Sequence, residues 1–203
     1  MEFENIYKSR KVILEMLNTR GYTTENYDNQ TKQELNIMYQ NHTNKVVEDL
    51  DCLDIMVENK SGKTLVKYIL TNKIRASFLT NVIDNIYENF LDKTDTCVII
   101  TKDKVTYKGT LEDYLKSIFL KDKIFAQVLW LNNLLFNITE HTLVPKYRIL
   151  NEEERLEFLN KYHTTLNNLP NIKVNDPVAL FYGFKIGDLC ENEDKYYRLC
   201  IAN

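Results

Sequence analysis

The sequence predicts an α/β fold in two modules, a layered α/β module over residues 1–140 and a small α+β module over residues 141–203. Three observations carry this expectation. Helical and extended patterns alternate through the first two thirds of the chain, and the last third holds two capped helices and a strand pair. Five glycines and three prolines, with no Gly/Ser-rich or Pro-rich tract, leave no long flexible linker, so the modules should abut. At 203 residues and 44% hydrophobic composition, the chain can bury one good core or two small ones.

The first helix is expected over residues 4–19. Ile6, Ile13, Leu14 and Leu17 share one face, Lys8 and Lys11 fall off it, and Gly21 supplies the stop. A second helix follows over 32–41. A hairpin is expected next, with strands 52–58 and 64–70 turned at Asn59-Lys60-Ser61-Gly62. A long amphipathic helix over 74–91 places Phe78, Val82, Ile86 and Phe90 on its apolar face, with Leu79, Ile83 and Tyr87 beside them. The β-branched run 96–101 reads as a central strand. Residues 111–120 are helical in pattern and 123–131 extended.

In the last third, Asn151 is an N-cap, Glu152, Glu153 and Glu154 fill the positive end of the helix that follows, and Glu154 can reach back as in a capping box. Leu156, Leu159 and Tyr162 form its apolar stripe, widened by Phe158, and Lys161 sits near the negative end. Asp176 caps a shorter helix with Pro177 in its first position and Gly183 ending it. The run Val178-Ala179-Leu180-Phe181-Tyr182 points apolar groups all round fewer than two turns, so some of them must face a partner. Gly187-Asp188 reads as a turn, and Leu189-Cys190 pairs with 196–201 through Asn192-Glu193-Asp194.

Composition excludes several function classes. A net charge of −3 lacks the basic signature of a free-standing nucleic-acid binder, so any DNA contact is local and weak. No run has the length of a membrane span, and the N-terminal residues do not form a signal peptide, so a soluble intracellular protein is expected. Cys52, Cys97, Cys190 and Cys200 show no C-x-x-C pair, and His42, His141 and His163 are isolated from one another. The cysteines therefore read as plain thiols, and no metal site or cofactor is expected.

Three short motifs bear on chemistry. Gly62-Lys63-Thr64 ends like a phosphate-binding loop, but Val57 stands where its first glycine belongs, so it reads as a hairpin turn. Asp54 with Glu58-Asn59-Lys60 resembles the acidic residues and lysine of metal-dependent nucleases, with Asp49 or Asp51 as alternative first ligands. Four residues along one strand set Asp54 and Glu58 roughly 13 Å apart, too far for one ion to bridge directly. Lys102, Lys104 and Lys108 form a basic cluster after the central strand, of the kind that neutralises phosphates without reading bases.

The order Leu143-Val144-Pro145-Lys146-Tyr147, then Asn151-Glu152-Glu153-Glu154, then Asp176 through Asp188, resembles the assembly module of the fifth, shared subunit of multisubunit DNA-dependent RNA polymerases, a module that archaeal polymerases also have. Arg20-Gly21-Tyr22 after the first helix is similar to the end of that subunit's first helix, which extends the resemblance along nearly the whole chain. Two differences stand out. The family's C-terminal hairpin is longer and carries a basic run, where this chain has an acidic turn, and Lys185-Ile186-Gly187 stands where members tend to have Lys-Arg-Gly.

The resemblance implies that residues 1–140 are a jaw domain of nuclease-like α/β fold beside downstream DNA, and that 141–203 are an assembly domain. It implies a non-catalytic subunit with no cofactor, whose partners are the largest polymerase subunit, the rest of the complex and, weakly, downstream duplex. Pro145, Asp176, Pro177, Val178, Ala179, Tyr182, Gly183, Lys185, Gly187 and Arg198 would form the docking surface. Lys102, Lys104 and Lys108 would be the residues nearest DNA. A nuclear location follows for a cellular protein, and a virion or cytoplasmic virus factory for a viral one. A metal-dependent nuclease or nuclease-derived DNA-binding module, and a stand-alone adaptor, are the competing readings.

Overall fold

A computed structural model describes residues 2–43, 51–60, 62–71, 74–104 and 109–202. The chain forms two compact units, Met1–Phe136 and Asn137–Asn203, each with its own four-stranded sheet. No helix among the described residues is long and apolar enough to cross a membrane.

The first unit opens with α1 (Glu2–Thr19), which buries Ile6, Ile13, Leu14 and Leu17 as the spacing requires and adds Ser9, Arg10, Val12 and Met16. Gly21 at φ 83° ends it in a Schellman closure, in which Tyr22 N–H donates to Leu17 O at 3.0 Å and Gly21 N–H to Asn18 O at 2.9 Å. A short helix α2 (Glu25–Asp28), with no hydrophobic period to announce it, precedes α3 (Lys32–Thr43). The first strand, β1 (Ile55–Asn59), starts later than expected because Cys52 belongs to a 3₁₀ turn, Asp51–Leu53. Arg10 Nη1 from α1 donates to Leu53 O at 2.7 Å and holds that turn out of the sheet.

The sheet runs β1, β2 (Gly62–Ile69), β3 (Thr96–Thr101), β4 (Phe125–Trp130). Its last three strands are parallel, joined through α4 (Ala76–Asn89) and α5 (Thr110–Asp122). Successive right-handed crossovers in one direction put both helices on one sheet face. Leu79, Ile83, Ile86 and Leu111 accordingly pack there on Leu65, Ile69, Cys97, Ile99 and Val128. Each such aliphatic side chain contributes about 1.5–3 kcal/mol by burial. On the other face, α1 is tied to the sheet by a Ser9 Oγ–Tyr68 hydroxyl hydrogen bond at 3.3 Å and by Arg20 Nη2 donating to Gln127 Oε1 at 2.8 Å. All six residues of β3 are buried, as a central strand covered on both faces must be. The apolar face assigned to α4 turns on its axis: Leu79, Ile83 and Ile86 are buried, whereas Phe78 and Phe90 are exposed.

In the second unit the sheet order is β5 (Tyr147–Ile149), β7 (Leu189–Asn192), β8 (Tyr197–Ile201), β6 (Asn171–Lys173). Its two outer strands have three residues each, too few for a period to show. The helix α6 (Glu152–Lys161) carries the full capping box, with Asn151 Oδ1 accepting from Glu154 N–H and Glu154 Oε2 from Asn151 N–H, both at 2.9 Å. Its buried residue is Phe158, with Leu159 beside it, while Leu156 and Tyr162 from the expected stripe lie outside. The short helix α7 (Pro177–Tyr182) starts and stops where Asp176, Pro177 and Gly183 place it.

The Gly62-Lys63-Thr64 segment is a strand start, with Gly62 opposite Asn59. Gly62 sits at φ 138°, and a Cβ there would stand 3.0 Å from Asp95 Oδ1 and 3.2 Å from Thr94 O. Asp95 approaches that closely because its carboxylate accepts from Lys63 N–H at 2.8 Å and Asp92 N–H at 2.9 Å. Gly62→Ala is therefore expected to cost about 1–3 kcal/mol, read as a lower urea midpoint. An unchanged midpoint would contradict this role for the glycine.

Candidate functional site

The second unit gathers its aromatic and cationic side chains around α7. Asp176 Oδ1 accepts from Val178 N–H at 2.8 Å, Pro177 fills the first turn, and Gly183 leaves the helix at φ 71°. Ala179 is fully buried against Ile172, Phe184, Cys190 and Cys200, so it anchors the helix from inside and cannot meet a partner. Val178 and Tyr182 remain half-exposed, Pro177 and Lys185 exposed, and Pro145 half-exposed just before β5. Gly187, at φ 96°, donates its N–H to Cys200 O at 2.8 Å and fixes the turn into β7.

Strand pairing brings in residues that sequence spacing could not. Tyr147 lies edge-on to Tyr182 and Phe184 at 6.3 and 6.2 Å between centroids, and Tyr182 stacks on Phe184 at 5.7 Å. Arg198 projects its guanidinium over the Tyr196 ring, 5.3 Å from the centroid. The Tyr147 phenol is pushed above its usual value by burial first, Arg198 works against that shift, and Cys190, Asp176 and Tyr196 add to it. Tyr147 is thus within electrostatic reach of the helix cap, the arginine and the hairpin. Arg198 Nε is buried and meets no acceptor among the described residues.

A second polar cluster fixes β5 to β7. Glu191, almost fully buried, accepts from Arg148 Nε at 2.6 Å and Lys195 Nζ at 3.1 Å, and Arg148 Nη1 reaches Glu154 at 2.7 Å. Burial opposes the Glu191 charge, but hydrogen bonds from Lys195, Tyr197 and Arg148 outweigh it and leave its pKa below the ordinary 4.5. Burial drives the Cys97, Cys190 and Cys200 thiols up to about 12, so they stay protonated and act as small apolar groups.

In the first unit, Lys102 and Lys104 follow β3 at the carboxyl ends of the parallel strands, and Lys108 lies outside the described residues. Trp130 Nε1 donates to Lys102 O at 2.9 Å, and Lys104 Nζ stands 5.9 Å from the Trp130 ring centroid. The tryptophan, a missed member of this group, arrives there because β3 and β4 are in register, Thr101 beside Trp130. Asp54 pairs with Lys67 Nζ at 3.3 Å. Glu58 and Lys60 lie exposed further along the hairpin, and Asp49 lies outside the described residues. Among the described residues no three His, Cys, Asp or Glu side chains converge as metal ligands would.

The chain is thus a two-unit protein, a sheet-based α/β unit followed by a small α+β unit with an aromatic and arginine-bearing face, and comparison with known proteins gives the family. The description RNA polymerase Rpb5, C-terminal domain, matches residues 136–195. The subunit rpabc1 of DNA-directed RNA polymerases I, II and III from Dictyostelium discoideum is 28% identical, over 98% of this chain and 99% of its own length. The DNA-directed RNA polymerase subunit Rpo5 of Thermococcus kodakarensis is 45% identical, over 34% of this chain and 93% of its own length. The DNA-directed RNA polymerase subunit 5-like protein 1 of Arabidopsis thaliana is 28% identical, over 93% of this chain and 88% of its own. The chain belongs to the family of the fifth subunit of DNA-directed RNA polymerases.

The lowered Glu191 pKa ties the second unit to pH. A carboxylate whose folded pKa is lowered contributes stability that is present above its unfolded value and lost as pH falls through the folded one. Hydrogen-exchange protection of β7 and β8 should therefore fall as pH drops below the ordinary glutamate value of 4.5 and through the lower folded one, and Glu191→Gln should flatten that dependence. An equal fall in the variant would remove Glu191 as the cause.

Proposed function

We propose that this protein is a non-catalytic subunit of a multisubunit DNA-dependent RNA polymerase, docked on the largest subunit through its second unit, with RNA synthesis carried by other chains. The docking surface comprises Pro145, Pro177, Val178, Tyr182, Lys185 and Arg198. Asp176, Gly183 and Gly187 hold its backbone, and Ala179 supports it from within. Arg198 carries this reading: its guanidinium is held over Tyr196, yet its buried Nε lacks an acceptor among the described residues. Arginine and tyrosine in a half-buried setting are the residue types that dominate binding energy at interfaces.

The first unit acts as a jaw of nuclease-derived fold beside downstream duplex, with Lys102, Lys104 and Lys108 near phosphates. The position of Lys102 and Lys104 at the carboxyl ends of the parallel strands, steadied by Trp130, supports this. Two or three lysines give a weak, sequence-blind contact that salt screens.

Arg198→Met removes a buried donor that lacks an acceptor, so the isolated protein should melt no lower than the parent. Its affinity for the largest polymerase subunit should fall by roughly 30-fold, about 2 kcal/mol. Val178→Asp should likewise abolish co-purification with that subunit. Undiminished co-purification of both folded variants would contradict the docking surface. For the jaw, Lys102→Ala with Lys104→Ala should lower the slope of log affinity for duplex DNA against log salt by roughly 1–2. An unchanged slope would take the lysines away from the phosphates.

A further inference from the structure

In the first unit, α4 and α5 cover the sheet over β2 to β4 and leave β1 bare on that side. Between α4 and the bare strip lies a groove of about 780 Å³. Its apolar lining includes Met56, Val82, Phe78 and Phe90, and the last two are 41% and 68% exposed. Aromatic rings this open on a helix whose other face is well packed need a reason beyond the fold.

We infer that this groove binds an extended peptide strand of a partner protein, apolar where it lies in the groove and carrying lysine or arginine beside that apolar stretch. Three observations select this occupant. The charged groups in the groove are Asp54 and Lys67, paired with each other, so the floor is neutral and suits uncharged side chains. Asn81 and Asn85 line the same groove one turn apart; Asn85 Oδ1 accepts from Asn89 Nδ2 at 2.9 Å, which leaves the Asn85 Nδ2 and the Asn81 amide to pair with a peptide backbone. Their spacing along the helix axis, roughly 6 Å, is close to the roughly 6.6 Å two-residue repeat of a strand. A helical occupant offers no free backbone to such amides.

The third observation is the rim. Glu88 stands seven residues from Asn81 on the same helix face and is exposed near the Phe90 end, whereas the exposed Arg75 caps the opposite end of α4. The Glu88 end of the rim attracts basic side chains and repels phosphates, which separates it from the lysines at the carboxyl ends of the strands. Simple addition to the edge of β1 is blocked at Met56, whose N–H donates to the Tyr27 hydroxyl at 3.0 Å while that hydroxyl donates to Met56 O at 3.1 Å. The strand must therefore lie over the sheet, against α4.

The test pans a phage-displayed random dodecamer library on the full-length protein, in parallel with Phe90→Ser and Glu88→Lys variants whose melting matches the parent. The proposal expects enriched peptides with three or more apolar residues bordered by lysine or arginine. It expects recovery on Phe90→Ser to fall at least about tenfold, and Glu88→Lys to lose the basic preference while keeping the apolar one. No enrichment, the same sequences with equal recovery on Phe90→Ser, or displacement of the peptides by duplex DNA would each overturn it.

Discussion

A unit the size of Asn137–Asn203 has much surface for its volume, so its apolar side chains compete for two small interiors, one of them around Leu150, Phe158 and Leu189. Ile172, Ala179, Phe184, Cys190 and Cys200 fill the one beneath α7. Two bends in the left-handed region, at Gly183 and Gly187, bring the chain back over those residues and close the helix between Asp176 and Gly183. With that interior full, Val178, Leu180 and Tyr182 stay partly exposed on a helix that is pinned from beneath. A surface held in place before a partner arrives loses little entropy on binding. The proposed docking face therefore follows from the same limit that sets the size of the core.

The first unit separates its surfaces by topology. Parallel strands joined by helices on one face place the lysine loop at their carboxyl ends, where connections are free to carry function. The hairpin that adds β1 extends the sheet beyond the reach of α4 and α5, which leaves an apolar strip beside α4. The Asp54–Lys67 pair sits on that strip, so Asp54, one of the residues that suggest a nuclease-like arrangement in the sequence, is engaged with a lysine of β2, while Glu58 and Lys60 lie exposed further along the hairpin.

Local signals produce sound elements. The Asn151 capping box, the Asp176-Pro177 start, the Gly21 stop and the β-branched run at residues 96–101 depend on neighbours within a few positions, and the structure places each as the chemistry requires. Signals that depend on distant partners are less legible. Helical spacing alone sets the apolar stripes of α4 and α6 off axis, because Phe78, Phe90, Leu156 and Tyr162 satisfy it equally well and only packing decides which side faces inward. Strands β5 and β6 have too few residues for alternation to register. Of the side chains around α7, Tyr147 and Tyr182 are both visible in the motif, whereas their edge-to-face contact depends on the pairing of β5 with β7.

The central claim is that the α7 face meets the largest polymerase subunit. The most direct measurement replaces Val178 with a photoreactive p-benzoylphenylalanine in the tagged full-length protein, irradiates the polymerase assembled in its native source, and identifies the captured chain by mass spectrometry. The account predicts one dominant product with the largest subunit, and no such product when the same residue is placed at the exposed Leu120 on α5. Capture of any other protein at position 178, or of the largest subunit equally from both positions, would contradict it.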